Sequence, residues 1–166
     1  MNLRGAGPRG RSASSGEELL VIEVREISVF AVQSWRELVA EYIEECGRAE
    51  IAKPDPQWKM YAAMEASGLY AVFGVYVDEA LAGFATVLTM VSPQYGVMMC
   101  NVEKIFVGKA HRNGTAFARL KAAVEEHARK AGAKRILWTT IAGSAMEAMF
   151  DKRFPRINAI YCQALR

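Results

Sequence analysis

The sequence predicts an α/β fold of the α+β kind: a mixed, mostly antiparallel central sheet with helices on both faces. Three observations lead there. Apolar runs of strand length alternate with helical periods in the order β, α, α, β, β, β, α, β, α, β. Two of those runs flank the polar turn Asp78-Glu79-Ala80, which is a hairpin signature. A later strand passes through a polar loop into a long amphipathic helix and then another strand, a crossover that makes the two strands parallel. At 166 residues, 52% of them hydrophobic, the chain has the length of one domain and ample material for a core.

The elements follow in order. Residues 1–17 are rich in Gly, Arg and Ser and too poor in apolar groups to offset their ordering entropy, so they predict a flexible basic tail before a domain over 18–166. Leu19 to Val29 is β-rich. Over residues 31–47, Trp35, Leu38, Val39, Tyr42, Ile43 and Cys46 share one helical stripe, closed by Gly47. Pro54-Asp55-Pro56 breaks the chain, with Asp55 placed to cap a second helix and Pro56 at its first position. That helix carries Trp58, Tyr61, Met64 and Glu65 and stops at Ser67-Gly68. Leu69–Val77 and Leu81–Val91 form the hairpin, and Val97–Val107 is a third strand of this group. Phe117, Leu120, Val124, Ala128 and Ala131 repeat every three or four residues, and Gly132 is a C′ stop. Arg135–Ile141 is a strand, Gly143–Lys152 a short helix and Ile157–Leu165 a last strand.

Composition narrows the function. The net charge is +3, and Arg4, Arg9 and Arg11 in the first sixteen residues, where no acid occurs, account for it (3 − 3 = 0), so the remainder lacks the strong basic bias of a nucleic-acid binder. No run approaches the twenty or so apolar residues of a membrane span, and Leu19–Ile22 is too short for a signal segment. Cys46, Cys100 and Cys162 are dispersed and odd in number, which suits a reduced, cytoplasmic chain and packing roles. His111 and His127 show no metal-ligand spacing, so no metal is expected.

The chemistry gathers at one joint. The strand Val102-Glu103-Lys104-Ile105-Phe106-Val107 leads through Gly108–His111 into Arg112-Asn113-Gly114-Thr115-Ala116-Phe117 and a helix. First-turn N–H groups lack intrahelical partners and, with the helix dipole, favour an anion. Arg112 adds a forked donor suited to phosphate. The same residues also fit a plain structural turn with a solvated Arg.

This order, with that joint in the middle, resembles the GNAT superfamily of acyl-CoA-dependent N-acyltransferases over about residues 20–165. It is similar, more closely, to small members found in phage genomes. Those share a Trp-bearing first helix, a Pro-x-x-Trp-x-x-Tyr second helix (here Pro54/Pro56, Trp58, Tyr61) and a Phe-Val-x-x-x-x-Arg joint. The superfamily joint reads Arg-x-x-Gly-x-Gly/Ala. Here Gly114 and Ala116 sit one place early and Phe117 takes a glycine position.

The resemblance implies acetyl-CoA as co-substrate, no metal, and an amine acceptor, small molecule or protein, with homodimers frequent in the family. It implies a strand splay at which Ile105, Phe106 and Val107 bond the pantetheine arm. Arg112, Asn113, Gly114, Thr115, Ala116 and Phe117 would wrap the pyrophosphate. Glu103 stands nine residues before Arg112, a family spacing for a base. As a residue it also fits an ion pair with Lys104, Arg112 or another exposed cation. The family's acid Tyr is replaced, in Phe150-Asp151-Lys152-Arg153-Phe154, by Phe150, leaving Tyr161 or Ser144 as substitutes. That loss motivates an alternative, a CoA-binding member without turnover that acts as sensor or scaffold. A second alternative is an unrelated α/β interaction module. Trp35, Tyr42, Trp58 and Tyr61 serve either as core or as an acceptor wall.

Overall fold

The computed structural model describes residues 20–48 and 51–163, so the tail expected over residues 1–17 lies outside the described residues. The elements are β1 (Ile22–Ile27), α1 (Val29–Ser34), α2 (Arg36–Cys46), α3 (Trp58–Ala66), β2 (Tyr70–Val77), β3 (Ala80–Val91), β4 (Met98–Val107), a single 3-10 turn (Lys109–His111), α4 (Ala116–Lys130), β5 (Arg135–Trp138) and α5 (Ala145–Asp151). The five strands lie in the order β1-β2-β3-β4-β5. The first three pairings are antiparallel and β4–β5 is parallel, as the crossover requires.

Both faces of the sheet are covered, which is why β2 reads as one unbroken apolar run. On one face α4 lays Leu120, Val124 and Ala128 over Val75, Val87 and Val102. On the other, Val29, Val32 and Leu38 of α1 and α2 meet Val72, Phe84 and Phe106. Each of these Val, Leu and Phe side chains contributes about 1.5–3 kcal/mol on burial. The β2–β3 turn puts Asp78 and Glu79 at φ 48° and 65°, the left-handed pair of a tight hairpin. Gly132 ends α4 at φ 71°, with its N–H on the Arg129 carbonyl and that of Ala133 on Ala128, a Schellman closure.

Four expectations are corrected. The helix expected over 31–47 is two, parted at Trp35 (φ −87°, ψ 69°). It starts early because Ser28 caps it, and Glu65 of α3 accepts from both the Val29 N–H (2.9 Å) and the Ser28 hydroxyl (3.1 Å). The second helix begins at Trp58 rather than Pro56, because the Asp55 carboxylate is taken by the Gln57 side chain at 2.9 Å. The strand expected over Arg135–Ile141 stops at Trp138. Of the strand expected over Ile157–Leu165, residues 157–163 are irregular and exposed. Arg156 is held to α5 by Glu147 (2.9 Å) and Asp151 (2.7 Å) just before that run.

Candidate active site

The site is built on β4. Lys104 pairs with Thr86 and Val102 with Val87, so Glu103 is an extra residue, a bulge in the ladder. Val102 and Ile105 both pack under α4, and the two residues between them therefore turn to the opposite face. Strict side-chain alternation through Glu103 is thus broken. The bulge aims Glu103 and Lys104 together beneath α1–α3.

There they close a polar ring. Tyr70 donates its hydroxyl to Glu103 Oε2 (2.9 Å), and Lys104 Nζ lies 2.8 Å from Glu103 Oε1. Lys104 also donates to the Tyr61 hydroxyl (3.1 Å), and the Tyr61 and Tyr70 rings stack at 5.3 Å. Burial, and the neighbouring Glu103 charge after it, push the Tyr70 phenol well above the usual tyrosine range, so it stays a proton donor. The nearby Thr86 hydroxyl works against that rise, second only to burial in size. It is 4% exposed and meets no partner at hydrogen-bond geometry.

The other edge of β4 is open. Gly108 N–H donates to the Ala82 carbonyl at 2.9 Å, which makes Val107–Gly83 a non-hydrogen-bonded pair. By alternation Phe106 bonds β3, whereas Ile105 and Val107 turn their N–H groups toward β5. Pairing with β5 ends at Val102–Trp138, closed by Thr139 N–H on the Val102 carbonyl (3.3 Å). Beyond it, among the described residues, those two amides meet no protein acceptor.

The loop after β4 adds more. Gly114 and Thr115 N–H donate to no acceptor among the described residues, and Thr115 precedes the first turn of α4 with no side-chain cap. That first turn, Ala116 to Ala118, has unpaired N–H groups by helix geometry. Asn113 and Gly114 are exposed, Ala116 is buried and Phe117 is half-buried. Arg112 is committed within the protein: Nε donates to the Val107 carbonyl and the second arm to Glu45, both at 2.8 Å. It braces the loop against α2 instead of standing ready as a forked cation.

A cleft of about 510 Å3 opens above Lys104 and Thr86. Its walls are aromatic, with Tyr42, Trp58, Tyr61, Tyr70 and Phe84. The chain between α2 and α3, including Arg48, Lys53 and Asp55, forms its rim. Sequence reasoning named Glu103 and its ion pair with Lys104 but missed Tyr70 and Thr86, which lie in ordinary β-strand runs. Only a bulge, invisible in spacing, brings them together. Tyr161 is not brought there: it is 90% exposed on irregular chain and is not among the cleft's lining residues. Ser144 instead caps α5, accepting from Glu147 N–H at 3.1 Å. Phe150 is buried against Trp138 and Phe154. Among the described residues no His, Cys, Asp and Glu cluster fit for a metal occurs, and no helix is long and apolar enough to cross a membrane.

A sheet whose one parallel pair parts beside a bare helix N-terminus, with a bulged acidic strand between, is a mixed α/β architecture with one strand edge left open. The acetyltransferase (GNAT) family model matches residues 33–154, and the chain belongs to that family. Its fold is similar to that of an aminoglycoside acetyltransferase, HMB0005, from an uncultured soil metagenomic sample (15% identity, 88% of this chain and 99% of that one, TM-score 0.69). It is also similar to ribosomal-protein-alanine N-acetyltransferase from Brucella melitensis biovar Abortus 2308 (14% identity, 88% and 99%, TM-score 0.64). A third likeness is to aminoglycoside N-acetyltransferase AAC(6')-Iy in complex with CoA (17% identity, 97% and 99%, TM-score 0.64). No curated protein sequence matches this chain.

Proposed function

We propose that this chain is an N-acetyltransferase that moves an acetyl group from acetyl-CoA to a primary amine by direct attack. The observation that carries the reading is the parting of β4 from β5 after Val102 and Trp138, next to the unpaired amides at the start of α4. The pantetheine arm would lie along Ile105–Val107, and the pyrophosphate would take the amides of Gly114 to Phe117 at the positive end of α4. Gly114 supports this. Its backbone is not left-handed, and an added Cβ would meet nothing nearer than the His111 carbonyl at 3.9 Å. The protein alone gives no reason for a glycine there, whereas a ligand passing close to the backbone does.

The acceptor's neutral nitrogen attacks the thioester carbonyl carbon; the C–N bond forms and the C–S bond breaks. A strand-edge N–H from Ile105 or Val107 meets the oxygen as charge builds on it. Glu103, directly or through one water, takes the proton that the amine gives up. CoA leaves as a thiolate and takes a proton from solvent; with a thiol pKa near 8.5, no dedicated acid is required. Phe150 in place of a hydroxyl is compatible with that, and Tyr161 has no role in the scheme while it is exposed. The same buried Phe150 favours the second reading, CoA binding without turnover.

Thiol release from acetyl-CoA over a broad amine panel separates the two. Turnover that falls about 100-fold or more in Glu103→Gln, with the fold intact by circular dichroism, is the expected result. Wild-type rates in that variant would remove Glu103 as base, and CoA binding without any thiol release would leave the second reading.

A further inference from the structure

Lys104 stands where an acceptor nitrogen belongs. Its Nζ is 2.8 Å from Glu103 Oε1, within hydrogen-bond distance of the group that takes the proton in the proposed reaction. Among the described residues no other cation pairs with Glu103. The Lys104 side chain is 21% exposed and lines the cleft, so it is reachable and already partly stripped of water. Its other partners hold it lightly: the neutral hydroxyl of Tyr61 at 3.1 Å and the face of the same ring at 4.8 Å. The bulge at Glu103 creates this meeting, because in an unbroken strand neighbouring side chains point to opposite faces of the sheet.

We infer that Lys104 is an acetylation site of the protein itself, modified from acetyl-CoA bound to the same chain. This rests on the acetyltransferase reading above. A thioester held at the Ile105 N–H would lie beside Lys104, since neighbouring Cα atoms are about 3.8 Å apart. The flexible four-carbon stem spans that gap once Nζ leaves Tyr61. The ammonium gives one proton to Glu103, and the neutral nitrogen attacks the thioester carbon. The C–N bond forms, the C–S bond breaks and its electron pair leaves on the CoA sulfur. The nitrogen loses its second proton to water, and the thiolate takes one from water. The product is an uncharged amide, so Glu103 loses its ion pair and keeps the Tyr70 hydroxyl. The reaction stops after one turn, because an amide nitrogen is no longer a nucleophile. Lys121 is the internal contrast. It is 18% exposed, paired with Glu125 and set over the Trp138 ring, but neither Lys121 nor Glu125 lines the cleft.

The full chain is incubated with acetyl-CoA carrying a heavy-carbon acetyl group and no amine. Lysine peptides are followed by mass spectrometry while free thiol is counted. Lys104 should be labelled about 100-fold faster than Lys121, at a rate that saturates with acetyl-CoA and does not change with protein concentration. Thiol release above background should stop at a single equivalent per chain. Lys104→Arg, which keeps the charge, should abolish that burst. Glu103→Gln should slow labelling of Lys104 about 100-fold and leave Lys121 unchanged. Labelling of Lys104 no faster than Lys121, or without saturation in acetyl-CoA, would overturn the inference, and thiol release with the amine panel would then uphold the enzyme without it. A rate that climbs with protein concentration would overturn it too, by making one copy the substrate of another. Selective labelling of Lys104 without turnover of any free amine would uphold the inference and remove the acceptor reading. Calorimetric binding of CoA with acetyl passed neither to amines nor to Lys104 would overturn both.

Discussion

Tyr70 holds Glu103 from below, and its role is separable from its packing. The ring is 4% exposed and stacked on Tyr61, so Tyr70→Phe keeps the aromatic contact and loses one hydroxyl. The hydroxyl is the donor to Glu103 Oε2 at 2.9 Å. Without it the carboxylate is fixed only by Lys104, a flexible ammonium that gives no directional support. Tyr70→Phe should therefore lower kcat about tenfold while KM for the amine changes little. Stability should drop by about 1 kcal/mol, the net worth of one hydrogen bond. Steady-state kinetics beside a thermal melt check this: an unchanged kcat would reduce Tyr70 to a core residue.

At the scale of elements, β3 and β4 must lie close for the bulge and the free edge to be presented. Gly83 makes this possible, because a Cβ there would stand 2.5 Å from the Phe106 carbonyl and 3.0 Å from Val107 Cα. Gly83→Ala should push the strands apart at Phe106–Val107, costing about 1–3 kcal/mol and lowering Tm by roughly 2–12 °C. Gly114→Ala is the contrast: it has room, so its Tm should match the parent, while its affinity for CoA by calorimetry falls. If the two variants lose stability alike, Gly114 serves the fold. These strands also mark how far the sequence could be read. The period of Leu120, Val124 and Ala128, and the hairpin around Asp78, are local signals and stand where spacing put them. The bulge at Glu103 comes from pairing with β3, and no spacing within β4 encodes it. Nor does the sequence of Ile157–Leu165 reveal that residues 157–163 run without a ladder beyond Arg156. The order of strand, loop and helix at the joint was legible, and β4 and α4 realise it. The commitment of Arg112 to Glu45 was not, because that partner is 67 residues away.

For the whole molecule, the two halves of the proposed CoA site are carried by different layers that share one core. The β4 edge belongs to the sheet, and the amides before α4 belong to the helix that packs on it through Leu120 and Val124. A ligand that bridges them binds only the folded arrangement, so its binding free energy adds to the stability of the whole domain. CoA at a hundred times its dissociation constant should add about 2.7 kcal/mol, or roughly 5–11 °C in Tm for a chain of this length. Because Arg112 is paired with Glu45 and 39% exposed, while in the proposed site the amides and helix dipole hold the anion, the shift should survive Arg112→Lys better than it survives Gly114→Ala. Differential scanning fluorimetry of the three proteins across a CoA titration measures both points. A shift in the parent and in Arg112→Lys, reduced in Gly114→Ala, supports the backbone cradle whether or not turnover follows. A melting curve indifferent to CoA at millimolar concentration would leave an α/β interaction module that keeps the family's fold without its nucleotide.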